Sequence, residues 1–434
     1  MNQETYSASS GQAKTCQNCK QNFTIEPEDF EFYAKIKVPA PTFCPECRLV
    51  RRMVWRPEMV LYKRLDDRTG KTIFSEFFST ALVKVWERED WQSDIWDPLE
   101  FGRDYDFNKP FFEQLMKLSK DVPRPSRGAL NLINSDYVNN GSNLKNCYLV
   151  FASGDAEDSY YSYSLDHSKD VFNSGYIFNS EIIHEGFFNR KCYRAIFSSH
   201  CEESNDIAFC HNCVGVSNCF GCVGLRKKLY HIFNKPVSKE EYQDYINSVN
   251  LGSYVAIQEM RLKKENIIVQ YPTKFMFGRH NVNVSGEYIY NSKNVQNSHH
   301  IENGENLKFC HNLLWGVAKD CYDYFRFSYN SELIYEAMTS GHNVSRLYFV
   351  ANCYPACNNL FYSLNCASSS NLFACIGLRN KSYCILNKQY TKEEYEQLVP
   401  RIIEHMNSMP YINKKGRIYK YGEFFPPELS PFAY

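Results

Sequence analysis

From residue 131 onward the chain repeats a short beat in which a small or polar pair precedes Asn, Asp or Glu and then one apolar residue. In one stretch the beat reads GSNL, SKDV, NSEI, SNDI and VSNC, ending at Leu144, Val171, Ile182, Ile207 and Cys219. In a later stretch it reads SKNV, GENL, AKDC, NSEL, CNNL and SSNL, ending at Val295, Leu307, Cys321, Leu333, Leu360 and Leu372. Intervals fall near 12 residues or twice that. A helix cannot use this beat, because polar residues recur beside aromatic and β-branched ones with no sustained helical period. Short strands can: a brief extended run with one inward side chain, then a turn where Asn tolerates left-handed geometry, repeated and stacked, makes a parallel β-solenoid. Stacking at strand spacing predicts Asn ladders at the corners and Cys, Leu or Phe ladders inside. A β-sandwich competes, but its strands would alternate over longer runs between Gly or Pro turns.

The solenoid is duplicated. CVGLRKKLYHIFNKPVSKEEY, from Cys222 to Tyr242, recurs as CIGLRNKSYCILNKQYTKEEY, from Cys375 to Tyr395, displaced by 153 positions without a gap. Each copy closes on the same helix start, Ser238 or Thr391 followed three residues later by Glu241 or Glu394, which is a capping box. The fold class expected is therefore mainly β, a duplicated parallel β-solenoid with a small amino-terminal zinc ribbon and a few helices. The boundaries read as a disordered tail over 1–14, a zinc ribbon over 15–57 and an α/β connector over 58–130. Solenoid copies follow over 131–237 and 281–390, separated by a helical insertion over 238–280, and a C-terminal helix and tail span 391–434. In the connector, KPFFEQLMKLSKDV predicts a helix with Pro110 near its first turn. DDRTGK reads as a hairpin turn rather than a phosphate loop, since Leu65 stands where the leading glycine would be.

Composition narrows the picture. The 434 residues carry 49 acidic and 49 basic side chains, so no global field draws the molecule to nucleic acid or membrane. Neither a signal-peptide pattern nor an apolar run long enough to span a bilayer appears, which predicts a cytoplasmic protein with no membrane partner. The 18 cysteines are then expected to be reduced thiols, most of them small interior side chains.

Four of those cysteines carry the clearest chemistry. Cys16-x2-Cys19 and Cys44-x2-Cys47 supply two CxxC turns, and two such turns complete a tetrahedral thiolate shell with no open position, the pattern of one structural zinc. With Phe23, Phe32, Tyr33, Pro41, Pro45 and Arg48 the segment resembles a zinc-ribbon or treble-clef family of uncharacterised bacterial proteins. The wider arrangement, through WQSDIWDP and the repeated KEEY ending, is similar to a family of uncharacterised bacterial proteins, a resemblance that implies no catalytic residue. Such modules bind RNA, DNA or protein, or brace a fold. After the last ligand, Arg48, Arg52 and Arg56 share one helix face with Arg51 beside it, a basic ridge that could lie along phosphates or contact a protein, with Trp55 and Tyr62 for stacking. The opposite reading is a helix face paired with local carboxylates.

Other candidates are weighed by the duplication. Cys210, Cys213, Cys219 and Cys222 have the spacing of a second zinc quartet, but Ser363, Cys366, Leu372 and Cys375 stand at the matched positions, an exchange that interior packing tolerates and a metal site does not. In FCHN, Cys210 and His211 point to opposite faces of a strand, so a thiol–imidazole pair would need His200, His299 or His300 from a neighbouring coil. Asp94, Asp97, Asp104 and Asp106 near Trp91, Trp96, Tyr105 and Phe107 suggest a sugar-binding surface, against which stand cap and turn roles. The sequence points to a zinc-binding scaffold contacting nucleic acid or protein through the basic helix and the solenoid face. The alternatives are a β-helix-type carbohydrate-active enzyme and a redox protein using its CxxC pairs; no catalytic residue is assigned.

Overall fold

The computed structural model describes residues 11–313, 335–336, 338, 349–353 and 355–432. The beats ending at Cys321 and Leu333, the first ten residues of the expected tail and the last two residues of the chain lie outside that range. Within it the protein is mainly β, a parallel β-solenoid in two matched copies with seven helices around it.

Each coil takes 12 residues, so Tyr148 pairs in parallel with Tyr160, Gly154 with Asp166, Tyr193 with Asn205 and Ser217 with Leu229. The backbone explains the short period. Almost every third residue from Asn140 to Asn212 has a positive φ near 50°, giving four left-handed corners per coil. Asn and Asp occupy many corners because their short polar side chains tolerate this region best. Corner side chains stack into ladders: Asn131 donates to Asn143 at 3.0 Å and Asn143 to Asp155 at 2.9 Å, while Asn134 donates to Asn146 at 3.1 Å and Asn146 to Asp158 at 2.9 Å.

Between corners one residue in three points inward, as in Leu144, Cys147, Val150, Ser153 and Ala156. Leu144, Val171, Ile207, Cys219, Val295, Leu307, Leu360 and Leu372 all lie there, as expected. Ile182 does not: it is a corner residue with φ 58°, and its neighbour Ile183 is the buried one. Among the described residues both core clusters are built from aliphatic side chains and Cys without an aromatic, while His231 takes an inward position where the first copy ends, paired with Cys219. At Gly186 even a Cβ would come within 2.4 Å of Ile183. Phenylalanine ladders do exist, but on the outside: Phe197 and Phe209 stack at 4.7 Å beneath the helical insertion.

The interior serine and cysteine content follows from hydrogen bonding. An inward-facing residue turns its amide N–H along the coil stack, and a buried amide needs a partner. Ser180 meets this need: its hydroxyl donates to the Phe178 carbonyl at 2.8 Å and accepts from the Cys192 amide at 3.0 Å, one coil on. Ser174 and Ser198 do the same for Gly186 and Cys210. Cysteine works as a longer substitute, since Cys192 donates to the carbonyls of Arg190 and Cys201, both at 3.4 Å. The expected apolar role for these thiols is thus incomplete; they are also donors. Ser180→Ala should therefore cost about 1–3 kcal/mol in chemical denaturation by leaving the Cys192 amide unpaired, whereas Ser180→Cys should be close to neutral.

The duplicated blocks fold alike. Strands Ser217–Phe220, Leu229–Ile232 and Lys235–Pro236 recur at Ser370–Phe373, Ser382–Ile385 and Lys388–Gln389. Around this frame stand β1 (Gln12–Thr15), β2 (Asn22–Ile25), α1 (Pro27–Lys35) and α2 (Pro45–Met53), then an antiparallel hairpin of β3 (Tyr62–Leu65) and β4 (Thr72–Ser75) turning at DDRTGK. Residues 12–14, placed in the tail by sequence, thus belong to a strand, paired with β2. The connector continues with α3 (Arg88–Gln92) and α4 (Phe111–Asp121), the latter beginning just after Pro110. Next come α5 (Lys239–Ser248) and α6 (Tyr254–Ile268) of the insertion, and α7 (Lys392–Ser408). Both expected capping boxes form, at Ser238 with Glu241 and at Thr391 with Glu394. The largest core unites the amino-terminal module, α4, α7, the second copy's outer face and the tail residues Phe424, Phe425 and Leu429. The front of the chain therefore folds back onto the second copy.

Candidate metal centre

The first cysteine pair sits in the turn between β1 and β2, where the Cys16 amide donates to Gln21 at 2.9 Å and Lys20 takes the left-handed conformation that closes the turn. The second pair opens α2, with Cys44 as the residue before the helix and Pro45 in its first position, where the missing N–H costs nothing. The Gln17 amide donates to the Thr42 carbonyl at 3.0 Å and ties the two turns together. All four sulfurs lie within 4.8 Å of one another. Cys19 and Cys44 are 3.7 Å apart, the Cys44 amide donates to the Cys16 sulfur at 3.3 Å, and Asn18 Nδ2 donates to the Cys47 sulfur at 3.1 Å. The group is close enough to hold a metal ion.

Its electrostatics are those of thiols competing for charge. Burial works against a Cys16 thiolate, but amide N–H groups from Cys44, Cys19 and Asn18 outweigh it and bring that thiol down to about 6. Burial pushes Cys44 and Cys47 the other way. Four sulfurs this close cannot all ionise without a cation among them.

The arginines after the last ligand do not form an exposed ridge. Arg48, Arg51 and Arg52 are buried, at 2 %, 3 % and 0 % exposure. Arg48 donates to the Phe43 carbonyl at 3.0 Å. Arg51 makes two bonds to Glu336, at 2.7 and 2.8 Å, and one to Glu423 at 2.9 Å, while its guanidinium lies 4.3 Å over the Phe43 ring. Burial alone would lower Arg51; the two carboxylates overcome it and hold the guanidinium charged. Arg56 pairs with Glu58. Trp55 packs on Phe425 at 5.0 Å instead of offering a stacking face. The expectation that these four arginines form an exposed contact ridge is corrected: Arg48 and Arg56 are held by neighbours in the chain, while Arg51 takes carboxylates from distant segments and fastens the module to the body. Sequence reasoning missed Glu336 and Glu423, and Asn18, whose position inside the CxxC turn was the available signal.

The remaining candidates resolve into structure. Cys210, Cys213, Cys219 and Cys222 are fully buried in the coil interior, Cys210 and Cys222 one coil apart in the same column and the other two in columns of their own, and each sulfur donates to backbone carbonyls, as Cys213 does to those of His211 at 3.5 Å and Cys222 at 3.4 Å. His211 stands on the outside of its coil against Ser199, 2.9 Å away, across the wall from Cys210. Trp91 and Trp96 are buried with their indole N–H groups bonded to carbonyls, so the expected sugar platform is part of a core. Asp97 caps the turn at Leu99, Asp104 pairs with Lys388 at 2.6 Å, Asp106 pairs with Lys109 at 2.8 Å, and Asp94 is exposed. Asp155, Asp166 and His167 form a second group with ligand atoms within 4.8 Å, Asp155 and His167 at exposed corners and Asp166 buried beside them. No protein-family model matches this chain, and no curated protein matches it.

Proposed function

We propose that the protein is a metal-stapled scaffold. One structural Zn²⁺ held by Cys16, Cys19, Cys44 and Cys47 fixes the amino-terminal module, and the duplicated solenoid carries the binding surface for a macromolecular partner. The observation that carries the reading is the sulfur geometry. Zinc–thiolate bonds of about 2.3 Å arranged as a tetrahedron set sulfurs roughly 3.8 Å apart, and Cys19 and Cys44 lie 3.7 Å apart. One pair in a hairpin turn and the other at a helix start support kinship with zinc-ribbon or treble-clef modules. Four thiolates leave no coordination position for substrate, which supports a bracing role over a catalytic one.

A protein partner fits better than nucleic acid. The arginines that would neutralise phosphates are engaged inside the fold, and the chain's formal charge is zero. Native mass spectrometry of the purified chain should show one zinc, displaced only as the four amino-terminal thiols become reactive. A metal-free protein with those thiols freely alkylated would overturn the assignment, and salt-dependent retention on immobilised RNA or DNA would reverse the choice of partner.

A further inference from the structure

The two solenoid copies pack face to face, and the seam between them is not fully closed. Two rows of outward side chains make the contact. In one, Phe188 and Tyr288 stack at 4.0 Å with planes 3° apart, and His200 stacks on Phe277 at 4.3 Å. In the other, Arg190 pairs with Glu302 through bonds of 2.8 and 3.1 Å, and Arg279 with Glu202 at 2.6 Å. Between the rows lies a cavity of about 250 Å³, also lined by Arg226 and Lys274.

Its charges do not balance. Four cations, Arg190, Arg226, Lys274 and Arg279, face two carboxylates, Glu202 and Glu302, both of which are taken by Arg190 and Arg279. Among the described residues, Arg226 is held by the backbone carbonyl groups of Asn212 and Leu225 and by the Asn212 side chain. Lys274 rests 5.4 Å over the Phe277 ring. Burial, and after it the charge of Arg226, pushes the Lys274 ammonium below its ordinary range, as a positive surplus should. His200 uses Nε2 on the Tyr288 hydroxyl at 2.9 Å, and its buried Nδ1 has no hydrogen-bond partner among the described residues.

An aromatic wall, two cations without a carboxylate partner among the described residues and a spare imidazole nitrogen around a small, partly open cavity select a flat, doubly charged anion. We propose that the cavity between the solenoid copies binds a small aromatic phosphate of the nucleoside-monophosphate class, its ring against Phe277 and Tyr288 and its phosphate on Arg226 and Lys274. The site shares no residue with the cysteine cluster, so it stands or falls apart from the metal.

Calorimetric titration of the full chain with AMP, adenosine and inorganic phosphate tests it. AMP should bind at one per chain, with adenosine and phosphate each at least about tenfold weaker. Lys274→Ala and Arg226→Ala should each weaken AMP about tenfold, the scale of one charge-assisted contact, with an unchanged melting temperature. The proposal is overturned if millimolar AMP gives no saturable binding, if adenosine binds as well as AMP, or if the two variants, shown folded by their melting curves, retain full affinity.

Discussion

Cys47→Ser should strip the metal from the purified protein and unfold its amino-terminal module. The apparent binding energy of a structural zinc is about 10–16 kcal/mol, comparable with the whole stability of an ordinary domain, about 5–15 kcal/mol. The module's apolar residues, Ile25, Phe32, Tyr33, Ile36, Val38, Phe43 and Trp55, pack in the largest core, so loss of the ion would disturb that core as well. The damage should spread, because α2 carries Arg51, and Arg51 holds Glu336 and Glu423 in the main body. The expected readouts are loss of zinc by elemental analysis, new protease cleavage between residues 12 and 56, and a lower, broader melting transition. Cys210→Ser is the matched control: that thiol lies in a coil interior where serine is already the common alternative, so metal content should stay unchanged. A Cys47→Ser protein that melts like the parent would show that the four sulfurs do not depend on an ion.

Arg51→Met should destabilise the protein by about 3–5 kcal/mol, the usual cost of removing one partner from a buried ion pair. The expense lies less in the lost attraction than in what remains, two carboxylates at 0 % and 6 % side-chain exposure with their cation gone. That origin gives the test its second arm. Adding Glu336→Gln and Glu423→Gln to Arg51→Met should recover part of the loss, since neutral amides are cheaper to bury than charges. Urea midpoints for the single and triple variants decide the matter, and a single variant within 1 kcal/mol of the parent, the range of an exposed pair, would refute the buried network.

The fold was legible in the sequence to the extent that its forces are local. The 12-residue beat is written in the chain because each coil repeats the same demands: a left-handed corner, one inward side chain, and a small polar group where an amide must be met. Asn143, Leu144 and Cys147 announce those three roles on inspection. Misreading began where two neighbours qualify equally, as Ile182 and Ile183 do, since only the corner geometry says which one turns inward. The cysteine cluster was legible for the same reason, its four thiols falling in two CxxC pairs, one in a hairpin turn and one at a helix start.

What the sequence concealed is contact between distant segments. Glu336 and Glu423 lie 285 and 372 positions from Arg51, so nothing local distinguishes a buried guanidinium from a solvated one. Amphipathic spacing put Arg48 and Arg52 on α2 correctly, but the helix ends at Met53, before Arg56, and the environment of the arginines is a core and not solvent. The aromatic rows at the seam were hidden likewise: Phe188 and Tyr288 each look like an ordinary corner residue until the other copy is laid against it.

The triplet corners also make the architecture quantised with respect to length. Twelve added residues insert a complete layer and leave every later side chain on its original wall, whereas three would rotate the downstream sequence by a quarter turn and present different walls to the helices and to the opposing copy. A single extra residue must be absorbed on the spot, as between Val350 and Ser363, whose pairing spans 13 positions instead of 12. Lengthening by whole layers is thus the edit that keeps each side chain on its own wall, and a chain obeying that arithmetic can grow by copying itself.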